Sequence, residues 1–449
     1  MARRDLIPLR DATRAWFRVS LQTFGGPAGQ IAVMHRELVE ERRWIGERRF
    51  LHALSYCTLL PGPEAQQLAI YIGWLLNGTA GGLVAGTLFV LPGYLAIMGL
   101  SIIYAGWGAT IAVEALFAGV APAVLAIVAQ AVVRVSKRAL TDPALVGIAV
   151  AAFVSLAFFR IPFPFVLGAA AIAGFVLGRT RPDGFGSPNH DGADADAAPP
   201  LIPDDALHGE RPSLRRALVI GIAGIVLWCL PAVVLAVSFG GSSIFVDEAK
   251  FFGGAALVTF GGAYAVLSYV AQRAVETYGW LLPADMITGL AMAESTPGPL
   301  IMVVQFVGFM GAFNAPGDLN RWVAAVLAAT LVTWVTFVPC FMFIYLGAPY
   351  VEALRHNRTL ANALTGITAA VVGVIANLAV YFGLHVLFDV VTPRHWAVLH
   401  VDVPDFGSFD PLAAAVAILA GVLTFRQNWS VLRVLGACAV VGGAMHIVA

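Results

Sequence analysis

The chain has 449 residues, 59% of them hydrophobic and 12% charged, with 27 bases against 27 acids and a mean hydropathy of +0.82. A soluble domain runs nearer half apolar and a quarter charged, so these values exclude a soluble globular protein and indicate a polytopic membrane protein. Residues 50–133 hold only Glu64 and Glu114 among Asp, Glu, Lys and Arg, and 217–246, 251–272, 322–351 and 359–388 hold none. At roughly 20 residues per span, the fold class is all-α, with about ten to thirteen transmembrane or broken helices.

The start carries Arg3, Arg4, Arg10, Arg14 and Arg18, the basic kind of terminus that stays in the cytoplasm. The apolar stretch 15–34 is interrupted by Gln22, Gly25, Gly26 and Pro27 and lacks a small-residue cleavage site, so it does not read as a cleaved signal peptide. A charged strip, 35–49, sets Arg36, Arg42, Arg43, Arg48 and Arg49 against Glu37, Glu40, Glu41 and Glu47. Residues 50–72 contain Pro61-Gly62-Pro63, and 79–104 is rich in small residues, with Gly82 and Gly86 spaced for close helix contact. A span over 110–133 meets the basic turn Arg134, Lys137, Arg138, and two shorter apolar pieces, 144–160 and 161–178, follow.

Composition changes at 179–216, a polar linker of Asp, Pro, Gly, Ala and His. His190 with Asp191, Asp194 and Asp196 is better read there as a solvated acidic linker than as a metal site, and no metal or cofactor is expected. The second half starts at 217; a polar loop at 390–410 precedes the last spans, 411–425 and 427–448. Cys57, Cys229, Cys340 and Cys438 are isolated in apolar segments, without metal or redox spacing.

Two broken segments organise the chain. Pro297-Gly298-Pro299 repeats Pro61-Gly62-Pro63, and Thr259-Phe-Gly-Gly262 repeats Thr23-Phe-Gly-Gly26, at one offset (297 − 61 = 236; 259 − 23 = 236) that also pairs Trp44 with Trp280. After a slip of eleven residues the alignment resumes, pairing Pro92 with Pro339, Gly119 with Gly366 and Gln130 with Asn377 (each 247). The chain is therefore read as two homologous repeats, 1–178 and 217–449, around the linker 179–216. The strip 35–49 has five Arg and its partner 271–285 only Arg273, so if Arg marks the cytoplasmic side the repeats are inverted.

Gly26-Pro27, Gly62-Pro63 and Gly298-Pro299 read as helix starts, because proline at the first helical position gives up an N–H that had no partner anyway. A helix that begins inside a bilayer leaves its first N–H groups to be filled, and a dianion suits both them and the helix dipole. Paired broken helices at matched places in two repeats mark a midplane transport site. The substrate-binding candidates are accordingly Phe24, Gly25, Gly26, Pro27, Arg36, Pro61, Gly62, Pro63, Gln66, Gln67, Gly261, Gly262, Pro297, Gly298 and Pro299. Each has a structural alternative. The prolines could merely kink helices, Gln66 and Gln67 could make interhelical hydrogen bonds, and Arg36 could pair with Glu40 on a solvated face. Glu64 is either a cap or a proton-coupling carboxylate; Glu294, before the second break, is the other coupling candidate. His35 and His52 read as interface histidines and Trp44 and Trp280 as interface anchors.

These residues resemble the chromate ion transporter family in its long two-domain form. The motifs that carry the resemblance are Phe24-Gly-Gly-Pro27, His35 to Trp44, Leu60-Pro-Gly-Pro-Glu64 with Gln66-Gln67, Tyr71-Ile-Gly73, Leu88 to Pro92, Thr259 to Gly262 and Thr296 to Pro299. They span both repeats but not the linker or the last spans. The resemblance implies a multi-pass secondary transporter of the bacterial inner membrane that exports chromate, conferring resistance, on a proton gradient or membrane potential. Sulfate, a dianion of similar shape, would compete. Ala263 stands where the first copy has Pro27, a departure from equal halves.

No phosphate-binding Gly-xxxx-Gly-Lys loop, haem or metal spacing or nucleotide fingerprint is present, so the sequence reads as a carrier and not an enzyme. The expected partners are the oxyanion and the lipid bilayer, without nucleic acid; a homo-oligomer stays open. The alternatives are an inward sulfate or other oxyanion permease, a membrane chromate reductase and an anion channel.

Overall fold

A computed structural model describes residues 6–24, 26–108, 110–180, 200–202, 213–260, 263–348, 358–396 and 399–448. Sixteen helices lie among these residues. The first half contains α1 (Leu9–Gln22), α2 (Gly26–His35) with a π-helical turn (Arg36–Glu41), α3 (Glu47–Cys57), α4 (Glu64–Trp107), α5 (Ile111–Ala139), α6 (Pro143–Ala157) and α7 (Phe163–Thr180). The second contains α8 (Leu214–Phe239), α9 (Ile244–Val258), α10 (Ala263–Gln272) with a π-helical turn (Arg273–Thr277) and α11 (Pro283–Ser295). A 3₁₀ turn (Leu300–Met302) leads into α12 (Val303–Asn314), followed by α13 (Arg321–Gly347), α14 (Arg358–Leu387), α15 (Pro411–Phe425) and α16 (Val431–Val448).

Six helices are long and apolar enough to cross a membrane and four shorter ones are apolar, ten in all (6 + 4) among the described residues. The protein is a helical, multi-pass integral membrane protein. One element departs from an all-α fold: the polar loop between α14 and α15 folds as an antiparallel hairpin, β1 (Val391–Trp396) with β2 (Leu399–Pro404), Val391 opposite Pro404. Most of the linker 179–216, with its His190 cluster, lies outside the described residues.

The 44 residues of α4 would run about 66 Å as one rod, twice a bilayer core of ~30 Å. The rod breaks at Asn77 and Gly78, where Gly78 turns to φ +63 and the Asn77 amide donates to Ile7 O at 2.6 Å. The leg 64–76 is then only ~20 Å long and its counterpart 300–314 about 22 Å, so neither crosses alone. Both are half-helices that begin at a Pro-Gly-Pro.

The repeat is structural, helix for helix. Shifting α1 and α3 by 236 gives 245–258 and 283–293, against α9 at Ile244–Val258 and α11 at Pro283–Ser295. Shifting α5 by 247 gives 358–386, against α14 at Arg358–Leu387. The correspondence then continues into the last spans, which the sequence motifs did not reach: α6 and α7 shifted by 268 give 411–425 and 431–448, the bounds of α15 and α16. Asp142 and Asp410 cap these paired helices ahead of a first-turn proline, accepting from Ala144 N and from Leu412 N and Ala413 N. Among the helices of the described residues, α8 alone has no counterpart.

Compactness follows different lines from the repeat. One unit comprises Met1–Met98, Ser187–Ala263 and Thr296–Asn357, the other Gly99–Gly186, Tyr264–Ser295 and Arg358–Ala449, so each draws on both sequence halves. The first has an aromatic core in which Trp16, Phe50, Tyr71 and Trp74 pack with Met34, Leu38 and Ile344.

Helix directions inside the second unit fix the relation of the copies. Gly178 of α7 abuts Asn362 of α14 while Gly174 abuts Gly366, so α7 and α14 run antiparallel. Gly373 of α14 lies against Ala149 and Phe153 of α6 while Ala369 packs with Leu145, so those two run parallel. Because α5, α6 and α7 alternate across turns at 140–142 and 158–162, α14 is antiparallel to α5, its own counterpart. The repeats are inverted. Two close helix contacts obey the same symmetry: Gly119 meets Cys438 O as Gly366 meets Ala170 O (119 + 247 = 366; 170 + 268 = 438).

Candidate functional site

The broken segments of the first unit exchange partners. Gly62 N donates to Thr259 O at 2.8 Å, and Gly298 N donates to Thr23 O at 3.0 Å. Each Pro-Gly-Pro is thus held by the Thr-Phe-Gly-Gly of the other copy, not its own. The two glycines sit at φ +116 and +111, which only glycine adopts without strain, and that conformation aims their N–H groups across the repeat. The acceptors are fixed in turn: Thr23 and Thr259 are buried, and their hydroxyls donate back to Ser20 O and Ala255 O. An unpaired N–H at such a buried position costs about 1–3 kcal/mol, so the exchange ties both breaks to one register.

Between them lies a small cavity lined by Pro27, Gln30, Pro63, Glu64, Ala65, Ala263, Pro299, Leu300 and Ile301. Its lining is the first turn of four helical segments, α2, α4, α10 and the half-helix 300–314, whose starts therefore converge. Each helix start carries about half a positive charge, so four sum to roughly +2, the complement of a dianion. The volume is about 10 Å³. That is close to the ~10–15 Å³ needed by one water, too small for a group with four oxygens. Admitting such an anion requires the half-helices to part.

Neutral amides brace the walls. Gln30 donates to Gly298 O at 2.6 Å and Gln67 to Pro61 O at 2.6 Å, while Gln66 lies 3.5 Å from Gly86 O. Glu64 stands in the first turn of its half-helix, where the dipole favours a carboxylate. Arg49 is the buried arginine of the charged strip and reaches the Tyr71 hydroxyl of α4 at 3.4 Å.

A family model described as chromate transporter matches residues 10–175 and 246–443, one stretch in each copy and together most of the chain. The chain belongs to the chromate transporter family. It is 33% identical to a chromate transport protein of Pseudomonas aeruginosa over 367 residues, 80% of this chain and 77% of that one. It is 27% identical to a chromate transport protein of Cupriavidus metallidurans over 418 residues, 93% of each. It is also 22% identical to an uncharacterized transporter of Methanocaldococcus jannaschii over 372 residues, 82% of this chain and 83% of the relative. No solved structure matches it.

Against this geometry the sequence candidates separate. Pro27, Pro63, Pro299 and Glu64 line the cavity, and Gly26, Gly62 and Gly298 form the turns that lead into it. Pro61 and Pro297 do not line it; Pro61 O accepts from Gln67 and Pro297 O lies close to Gly93. Gln66 and Gln67 turn their amide groups to backbone carbonyls and do not line the cavity. Phe24 precedes the α2 start without lining it, and Gly25, Gly261 and Gly262 lie outside the described residues.

Arg36 is half-exposed beyond the far end of α2, donating to Gln22 Oε1 at 2.8 Å and lying 3.5 Å from Glu41. That is the solvated-face alternative, though with Glu41 in place of Glu40. The strip largely neutralises itself: His35 bridges Glu40 and Glu47, and Arg42 pairs with Glu37 at 3.1 Å. Glu294 belongs to the second unit, buried, accepting from the Tyr264 hydroxyl. Sequence reasoning missed Gln30 and Gly93. The signal for Gln30 was a lone amide one turn after Gly26-Pro27; its equivalent in the second copy is Val266.

Proposed function

We propose that the protein exports chromate, or a tetrahedral dianion of that class, across the bacterial inner membrane by alternating access around the cavity between the two Pro-Gly-Pro turns. The observation that carries this is the convergence of four helix starts, two from each inverted copy, on one small space. Backbone N–H groups and dipoles would supply the attraction, and the buried Arg49 rather than the half-exposed Arg36 would assist from the strip. Expulsion of a dianion is favoured by an inside-negative potential, about 2.3 kcal/mol per charge per 100 mV. A proton gradient adds drive through Glu64 if that carboxylate changes protonation during the cycle. That two relatives are chromate transport proteins supports chromate as the substrate.

The test is radiolabelled chromate uptake into everted membrane vesicles, with and without excess sulfate, by wild type and Pro63→Ala. Energised uptake that the variant loses is the expected result. No uptake above empty vesicles, with sulfate accumulating in whole cells instead, would replace the exporter with an inward permease.

A further inference from the structure

The turn between α6 and α7 contains Arg160 at φ +47. A shift of 268 places Asn428 at the matching turn between α15 and α16, at φ +52. Asparagine tolerates this left-handed conformation well and arginine does so poorly. The first copy thus holds a long cation in a strained turn where the second has the residue that suits it, an arrangement typical of functional positions. The Arg160 guanidinium lies 2.8 Å from Glu276 and 3.0 Å from Asp402, in the π-helical turn after α10 and in β2.

Asp402 belongs to an insertion of the second copy alone. Residues 140–142 join α5 to α6, but the hairpin joins α14 to α15, and it is pinned to the Arg160 turn by His400 N donating to Phe158 O at 2.8 Å. Beneath it is a cavity of about 120 Å³, roughly ten times the volume at the broken helices, lined by Arg160, Glu276 and Asp402 together with Ser268, Gln272 and Asn377. Every lining residue belongs to the second unit.

The guanidinium, two amides and a hydroxyl are what a small oxyanion needs; the carboxylates occupy the guanidinium in its place. We infer that this cavity is a second oxyanion station, filled when Glu276 is neutralised and its hold on the Arg160 guanidinium is released to the anion. The inference rests on the oxyanion-carrier reading for its ligand class only. The groups facing Glu276 are Arg160, Asp402 of the hairpin, Gln272 of α10, and Tyr381 and His385 of α14. Burial pushes the Glu276 carboxyl above its ordinary value and the Arg160 guanidinium acts against that push, so Glu276 takes up its proton more readily than a free carboxylate does.

Purified full-length protein in lipid nanodiscs is titrated with radiolabelled sulfate, whose charge is constant over the range, at about pH 8 and at about pH 5.5, the lower favouring the protonated form of a carboxyl that burial raises. Wild type is expected to bind one anion per chain at the higher pH and two at the lower. Arg160→Gln should bind one at both. Glu276→Gln, which keeps the size of the side chain, should gain the second site at the higher pH. A single pH-independent site in wild type, or two sites untouched by Arg160→Gln, overturns the second station and leaves the carrier reading intact. No binding under either condition overturns both.

Discussion

Where the first copy has Pro27, Glu64 and Arg160, the second has Ala263, Leu300 and Asn428. The backbones at these positions match: Trp44 N donates to Leu38 O at 2.8 Å as Trp280 N donates to Ala274 O at 2.9 Å, and Gly62 and Gly298 differ by five degrees in φ (116 − 111). Duplication therefore supplies the helix starts and their dipoles in symmetric pairs, and divergence adds the side-chain charge from one copy. A site that binds a symmetric dianion is well served by the first, and a carrier that couples transport to another gradient needs the second.

The equivalence of the two breaks is most easily upset at their glycines. A Cβ on Gly298 would meet backbone, Gly93 Cα at 3.1 Å and N at 3.4 Å, whereas one on Gly62 would meet side-chain tips, Cys340 Sγ and Gln67 Nε2 at 3.0 Å each. Side chains yield and backbone does not. Gly298→Ala is expected to cost about 3 kcal/mol and Gly62→Ala about 1–2 kcal/mol. Thermal unfolding in detergent, read beside vesicle uptake, checks the order; equal losses would show the breaks to be interchangeable.

The charge difference is the next target. Glu64→Gln is expected to keep potential-driven chromate uptake but lose its response to a pH gradient. Leu300→Glu, which installs a second carboxylate beside the dianion, should lower uptake about tenfold, the effect of ~1.4 kcal/mol of repulsion. Uptake under separately imposed potential and pH gradients distinguishes these outcomes, and an unchanged pH response in Glu64→Gln would remove that residue from coupling.

The smallest effect concerns the brace that only the first copy has. Gln30→Met preserves shape and deletes the donor to Gly298 O, at an expected ~1 kcal/mol of stability with a few-fold drop in uptake. A neutral result would mean that the Gly298 carbonyl does not depend on this amide.

Much of this scaffold was legible because its markers are residues with few substitutes. Glycine at positive φ and proline at a helix start leave fixed spellings, so Pro61-Gly62-Pro63 and its copy announced the broken helices and the offset of 236. Helices α15 and α16 have no such markers. The hairpin ahead of them shifts the register by 21 residues (268 − 247), so their kinship with α6 and α7 emerges only from the bounds of the folded helices. Pro393, Pro404 and Asp402 made the hairpin read as loop, since proline and Asp are poor strand formers. Depth was the other hidden variable. Arg36 and Arg49 look alike in a strip of mixed charge, and spacing along a helix says which neighbours can pair but not which arginine the rest of the unit buries.

One helix has passed without a partner. The 26 residues of α8, about 39 Å of helix, hold no buried residue and sit between the two copies. A copy standing alone would have to insert in both orientations and find its mirror image by collision in the membrane. Two copies that each begin and end on the same side of the bilayer would, if fused directly, face the same way. A helix of the length and apolarity of α8 between two such copies supplies the one further crossing that sets them against each other within a single chain. That freed each half to drift, and Glu64 and Arg160 are what the drift could then keep on one side only.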